Sequence, residues 1–215
     1  MAQEEKKQGD QLRRTPIYAC HQKLNAKFTP FAGWDMPVLY TGVIEEHRAV
    51  REAAGLFDVS HMGEISVSGD GAAAFLQFAT TNDITKLAPG KAQYGFLLNE
   101  RGGVVDDIIT YCLAKNVYFI CVNASNAQKD YEWLLKLKTP EVEIVDNSSV
   151  FGQIALQGPK ASEILATLHP RVHNVEDVSV DDWSEPDFDL DIANFPSLSA
   201  RNLKFNYRGE RDPLS

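Results

Sequence analysis

The sequence is poor in the features that define several common protein classes. It has three cysteines, Cys20, Cys112 and Cys121. An odd number without Cys-x-x-Cys spacing encodes neither a disulfide framework nor a zinc ribbon, and it suits a reducing compartment. Basic residues are outnumbered, with Lys and Arg totalling 21 against 30 Asp and Glu for a formal charge of −9. That balance argues against a broad electrostatic grip on nucleic acid or anionic lipid. No apolar run is long enough to cross a bilayer. The opening MAQEEKKQGDQLRR is polar and mixed in charge, unlike a signal or transit peptide. The expectation is a cytoplasmic protein without a membrane or nucleic-acid partner. Gly-x-Ser-x-Gly and His-Glu-x-x-His are both missing. Gly158-Pro159-Lys160 is no phosphate loop, because the proline removes an amide donor that a phosphate would need.

What remains is ample for a core, since 44% of the 215 residues are hydrophobic. Thr15-Pro16 predicts an N-cap and a helix running to about Leu24. A second helix is expected from Val43 to Ala54, burying Val43, His47, Val50 and Ala54 and closed by Gly55, with His47 as a packed histidine in preference to a catalytic one. From Gly63, Ile65 and Val67 alternate with Glu64, Ser66 and Ser68 as in a half-exposed strand. Asp70 should then cap a helix facing inward through Ala72, Phe75, Leu76 and Ala79. Ala92 to Leu98, the turn Asn99 to Gly102, and Gly103 to Tyr111 read as a hairpin, with Val117 to Val122 as a third strand. Ser125 and Gln128 form a capping-box pattern before a helix burying Ala127, Tyr131, Leu134 and Leu135. A strand at Val150 to Leu156 and a helix from Gly158-Pro159, burying Ala161, Ile164, Leu165 and Leu168, follow. The fold class is α+β, with mainly antiparallel sheets flanked by helices. Glu176 to Asp191 carries eight acidic residues and no basic ones, so no element is assigned there.

The most unusual segment is Gly103 to Tyr111. Alternation puts Val105, Asp107, Ile109 and Tyr111 on one face and Val104, Asp106, Ile108 and Thr110 on the other, so two apolar faces each carry a carboxylate. With a four-residue turn, Leu98 faces Gly103 and Tyr94 falls opposite Asp107, on the face shared with Tyr111. An aspartate flanked by tyrosines is a floor suited to a flat polar heterocycle. The competing reading is an aspartate at the solvent edge or paired with a lysine. Asp58, His61 and Glu64 are close in sequence but match no ligand signature and lack a fourth ligand, so no metal is expected.

The words of the sequence resemble a known family. Thr15-Pro16-Ile17-Tyr18 with His21, Pro30-Phe31-Ala32-Gly33-Trp34-Asp35-Met36-Pro37 and Gly55-Leu56-Phe57-Asp58-Val59-Ser60-His61-Met62-Gly63-Glu64 are similar to the aminomethyltransferase, or T-protein, of the glycine cleavage system. So are Thr81-Asn82-Asp83, Asn99-Glu100 with Gly102-Gly103-Val104-Val105-Asp106-Asp107, Val122-Asn123-Ala124 and Leu156-Gln157-Gly158-Pro159. The resemblance runs in order from about Thr15 to Leu168. It implies a folate-binding enzyme that takes the aminomethyl group from the lipoyl arm of the H-protein, releases ammonia and leaves the one-carbon unit on tetrahydrofolate. The family's key carboxylate falls on Asp107, with Tyr94, Tyr111 and Asn123 around the pteridine.

Against that family, residues 15–62 with 148–169 would form an incomplete first domain and 63–147 a middle domain carrying Asp107. Residues 170–215 would be an acidic tail resembling nothing in the family, in a truncated chain whose C-terminal β domain is missing. Two readings follow: an aminomethyltransferase, or a catalytically inactive folate-binding or interaction fragment of that family. Arg48, Arg51, Lys23 and Lys27 form either a docking patch for the lipoylated partner or a solvated surface.

Overall fold

The strand that begins at Gly63 is flanked by strands on both sides and sends Ile65 and Val67 into the core. In the computed structural model of the protein, residues 12–167 are described, together with the backbone of two short strands, Arg171–Val172 and Leu203–Lys204. The expected acidic tail otherwise lies outside the described residues, as does Leu168.

Strands β1 (Lys27–Phe31) and β2 (Trp34–Leu39) form a hairpin. Its tight turn has Ala32 and Gly33 at φ of 50° and 82°, the left-handed pair that a two-residue hairpin loop demands. β3 (Gly55–Asp58) pairs with β9 (Ile154–Gln157). β4 (Gly63–Ser68), β5 (Ala92–Leu98), β6 (Val104–Ala114), β7 (Val117–Val122) and β8 (Glu143–Asp146) make a five-stranded sheet in the order β5-β6-β7-β4-β8. β10 (Arg171–Val172) pairs with β11 (Leu203–Lys204). Every pairing between these strands is antiparallel, which gives the expected α+β class.

Helices α3 (Ala72–Ala79) and α4 (Ala127–Leu137) cover one face of the five-stranded sheet. The core between them holds Ile65, Val67, Leu97, Ile108, Ile120 and Leu134, each at most 1% exposed. The face expected for α3 is the one it buries: Ala72, Phe75, Leu76 and Ala79. The capping expectations fail, since neither α1 (Tyr18–Lys23), α3 nor α4 has a side-chain cap. Gln128 turns instead to Glu132. The helix α2 (Val43–Glu52) ends before Gly55, which starts β3, and buries none of its residues. Val43 and Ile44 are exposed and so is His47, which corrects the packed-histidine expectation. Leu135 and Ile164 are 39% exposed rather than buried, and α5 (Ala161–Thr167) follows Gly158 at φ 120°.

A buried hydrogen-bond chain ties the N-terminal helix to the strands behind it. His21 on α1 places Nδ1 2.7 Å from the Tyr40 hydroxyl and Nε2 2.8 Å from Asp58 Oδ2. Asp58 also accepts from the Ser60 N–H. Burial raises the Asp58 carboxyl, and its hydrogen bonds outweigh that effect to leave it below the usual range. His61 sits edge-on to Phe31, so Asp58, His61 and Glu64 do not converge on one point.

Among the described residues, the outer face of the sheet is covered on one side only. Cross-strand partners place Glu64, Cys121, Ile109 and Tyr94 in one row across it. Residues 147–153 lie over the β4 end. Asn147 donates to Ser66, the Ser148 hydroxyl accepts from the Glu64 N–H, and Phe151 packs edge-on against Phe119. Glu64 is therefore 1% exposed, where alternation predicted half exposure, and neither carboxyl oxygen has a partner among the described residues. Burial, with help from Asp146, pushes its carboxyl up to about 7. A raised acid holds its proton in the folded state at pH values where the unfolded chain has released it. Stability from this group therefore falls as pH rises from about 4.5 to about 7 and is level above. Glu64→Gln should raise the unfolding free energy at pH 8 by up to about 3 kcal/mol and leave it unchanged at pH 4. Denaturant melts at the two pH values test this, and an equal shift at both would refute it.

Candidate functional site

The uncovered side of that outer face carries the adjacent aspartates. Because side chains alternate along β6, Asp106 points into the core side and is 5% exposed, while Asp107 points outward and is half-buried. The hairpin register differs from the expected one. Gly103 joins the turn, where its N–H and that of Arg101 bond the Asn99 side chain, and a bulge separates Leu97 from Leu98. Phe96, and not Tyr94, is opposite Asp107, and Tyr94 is opposite Ile109. The displacement amounts to two residues, so every side chain keeps its face. Tyr94 still reaches diagonally to donate its hydroxyl to Asp107 Oδ2 at 2.9 Å.

Asn123 follows the last residue of β7 and grips both aspartates. Its side-chain amide donates to Asp107 Oδ1 at 2.9 Å and to Asp106 Oδ1 at 3.0 Å, and its backbone N–H donates to Asp106 Oδ2 at 3.0 Å. The Asn126 amide adds a donor to Asp106 Oδ1 at 2.6 Å. Thus Tyr94, Asp107 and Asn123 converge. Tyr111 shares their face four residues along β6, roughly 13 Å away by strand rise, and burial raises its hydroxyl above the usual range. Asp107 has no ion pair among the described residues, and Lys129 turns to the Val105 carbonyl instead. Its charge is held by neutral donors and is not cancelled.

Two members of this cluster were absent from the sequence reading: Asn126 and Asp130. Asp130 lies on the buried face of α4 between Ala127 and Leu134 and is 0% exposed. Neither of its oxygens receives an N–H or hydroxyl donor among the described residues; the Asp106 carboxyl is its hydrogen-bonding neighbour. Burial first, then the hydrogen bond to Asp106 and the negative charge there, push Asp130 up to about 8. At Asp106, burial acts upward but is outweighed by hydrogen bonds from Asp130, Asn123 and Asn126, which hold it below the usual range. The available signal was a carboxylate inside an apolar helical stripe, a position where charge is costly.

The geometry forms a half-open aromatic and aliphatic floor of Tyr94, Phe96 and Ile109 with one fixed, uncancelled carboxylate at its edge. Such a site recognises a planar ring bearing N–H donors and stabilises positive charge developing beside it. Asn123→Ala strips one side-chain donor from the buried Asp106 and one from the half-buried Asp107 and should cost about 2–4 kcal/mol of stability. Tyr94→Phe, at a 49% exposed side chain, should cost less than about 1 kcal/mol. Equilibrium urea unfolding of both variants checks the ordering, and equal losses would show that Asn123 does not anchor the site.

Comparison with known proteins agrees with this reading of the fold. The family model for the GCVT N-terminal domain matches residues 17–208. Similarity therefore extends through the acidic stretch, which corrects the expectation that it stops near Leu168. The aminomethyltransferase of Chloroherpeton thalassium is 54% identical over 159 residues, covering 73% of this chain and 44% of that protein. The aminomethyltransferase of Listeria monocytogenes is 44% identical over 202 residues, covering 93% of this chain and 53% of that protein. The crystal structure of glycine cleavage system aminomethyltransferase T from Bartonella henselae superposes with a TM-score of 0.71 at 42% identity, over 74% of this chain and 44% of that one. The chain spans about half the length of the curated relatives it matches.

Proposed function

From the premise that this chain belongs to the GCVT N-terminal domain family of the aminomethyltransferases, we propose that it acts in tetrahydrofolate-dependent aminomethyl transfer, with Asp107 as the catalytic carboxylate. The donor is the aminomethyl-lipoyl arm of the H-protein, and the compartment is the cytoplasm. No helix among the described residues is long and apolar enough to cross a membrane. The observation that carries the reading is the outward carboxylate of Asp107, fixed by the Tyr94 hydroxyl and the Asn123 amide and without an ion pair among the described residues.

The residues fit a reduced pteridine as substrate. Tyr94, Phe96 and Ile109 offer a flat apolar bed, Asp107 accepts from a ring N–H, and Tyr111 borders the same face. In the overall reaction two carbon–nitrogen bonds form to folate, while the carbon–sulfur and carbon–nitrogen bonds of the aminomethyl-lipoyl group break. The two protons displaced from folate leave on ammonia and on the dihydrolipoyl thiol, so no oxidant or reductant is needed. Asp107 serves this reaction twice: it orients the folate N–H whose nitrogen attacks, and it stabilises the iminium-like charge on carbon as ammonia departs. A prefixed anion does so with little reorganisation.

A second reading, a folate-binding or interaction module without turnover, is favoured by the exposed apolar side chains Leu56, Phe57, Ile154, Val43 and Ile44, which resemble an interface. Calorimetry with tetrahydrofolate and turnover with aminomethyl-loaded H-protein separate the two. Asp107→Asn keeps the shape and removes the charge. It should lower turnover at least about a hundredfold with modest change in folate affinity. Near-normal turnover in that variant would remove Asp107 from the mechanism, and absence of folate binding by the unsubstituted chain would remove the first reading and leave of the second only an interaction module.

A further inference from the structure

We propose that Asp130 is a positioning residue for Asp107: as a neutral carboxyl on the buried face of α4 it donates its proton to Asp106, and the locked Asp106 fixes the Asn123 amide that aims Asp107. The inference rests on the assignment of Asp107 to the folate site.

The distribution of donors decides where the proton sits. Asp106 already receives the Asn123 N–H, the Asn123 amide and the Asn126 amide. Asp130 receives none of these and is 0% exposed. Two buried carboxylates in contact cannot both ionise cheaply, so the anion settles where the donors are and the proton stays on the other carboxyl. Asp106 then has both oxygens engaged and no freedom to turn. Asn123 shares one amide between Asp106 Oδ1 and Asp107 Oδ1. If Asp106 shifts, that amide shifts with it, and Asp107 loses the donor that sets its orientation. The connection runs through three hydrogen bonds linking four side chains, Asp130, Asp106, Asn123 and Asp107.

A purely structural role fits less well. An apolar side chain of similar size would fill the α4 face at lower cost, because burying a carboxyl is unfavourable even when it is neutral. Leu134 occupies the next turn of the same stripe and is fully buried. The other charged groups acting on Asp130 are Asp106 and Asp107 of β6 and Lys129 of its own helix. β4 and β8, which also pack against α4, contribute Ile65, Val67 and Ile144 to the core. Deprotonation of Asp130 would set two anions side by side in that core and drive Asp106 from its place.

The test uses the full chain and two substitutions. Asp130→Asn keeps an N–H donor toward Asp106 without a titrating proton, and Asp130→Ala removes the donor. Anaerobic calorimetry with tetrahydrofolate from pH 6 to pH 9 should show the unsubstituted chain losing affinity roughly tenfold between pH 7.5 and pH 9, as the competent protonated fraction shrinks. Asp130→Asn should bind within about twofold of the unsubstituted chain at pH 6.5 and lack that alkaline loss. Asp130→Ala should bind at least about tenfold more weakly than the unsubstituted chain at pH 6.5 and lack the alkaline loss, and if it does not fold the Asn variant still decides the matter. A second readout does not depend on folate: the side-chain amide NMR signals of Asn123 and Asn126 should shift together near pH 8 and stay still in Asp130→Asn. Retention of the alkaline loss in Asp130→Asn, or amide signals that do not titrate in the unsubstituted chain, would overturn the proposal. If the unsubstituted chain binds no tetrahydrofolate while the amides titrate, the folate assignment fails and the Asp130–Asp106 coupling stands.

Discussion

Everything in the site depends on one amide shared between two carboxylates that point in opposite directions. A strand with period two cannot carry adjacent aspartates without sending one to each face. In a sheet with helices on one side, one of the pair must therefore enter the core. Asn123 resolves the conflict because of where β7 stops. The register of β6 against β7 begins at Ile109 opposite Cys121, so the segment bearing Asp106 and Asp107 lies beyond the ladder. The Asn123 backbone N–H is thereby released from strand pairing to bind the buried carboxylate. The same residue placed within the ladder would have its N–H committed to a neighbouring carbonyl.

Much of the middle sheet was legible because apolar periodicity there reports burial directly. The α3 face and the core positions of β4, β6 and β7 follow from it. The side of β6 on which Asp107 lies was legible even though the register was not. The extra turn residue and the bulge together move the pairing by two, and an even displacement leaves every side chain on its own face. An odd one would have turned Asp107 to the core side and Asp106 outward, burying the wrong aspartate.

Other features were not legible because they depend on partners distant in sequence. The apolar stripe of α2 predicts an inward face, yet α2 packs against β3 without burying any of its residues, and a stripe carries no information about what packs on it. His21 pairs with Asp58 across 37 positions, a relation that local spacing cannot contain. Asp130 lies within a helix whose apolar periodicity predicts the buried face but not a carboxyl inside it. Reading the stripe as a surface with every residue included would have exposed the anomaly.

Glu64 and Asp107 occupy the same outer face of one sheet and meet opposite fates, which shows what determines charge there. Glu64 lies beneath residues 147–153 with no donor to either oxygen, and burial favours its neutral form. Asp107 lies beyond that cover with a hydroxyl on one oxygen and an amide on the other. The difference does not come from side-chain chemistry, since both are carboxyls on an otherwise similar surface. It comes from a loop that excludes water without supplying donors at one end, and from a strand terminus that supplies donors without excluding water at the other. A site that works through negative charge has to be built at the second place. For that charge to act strongly, water must then be displaced by the incoming ring itself, so that desolvation accompanies binding.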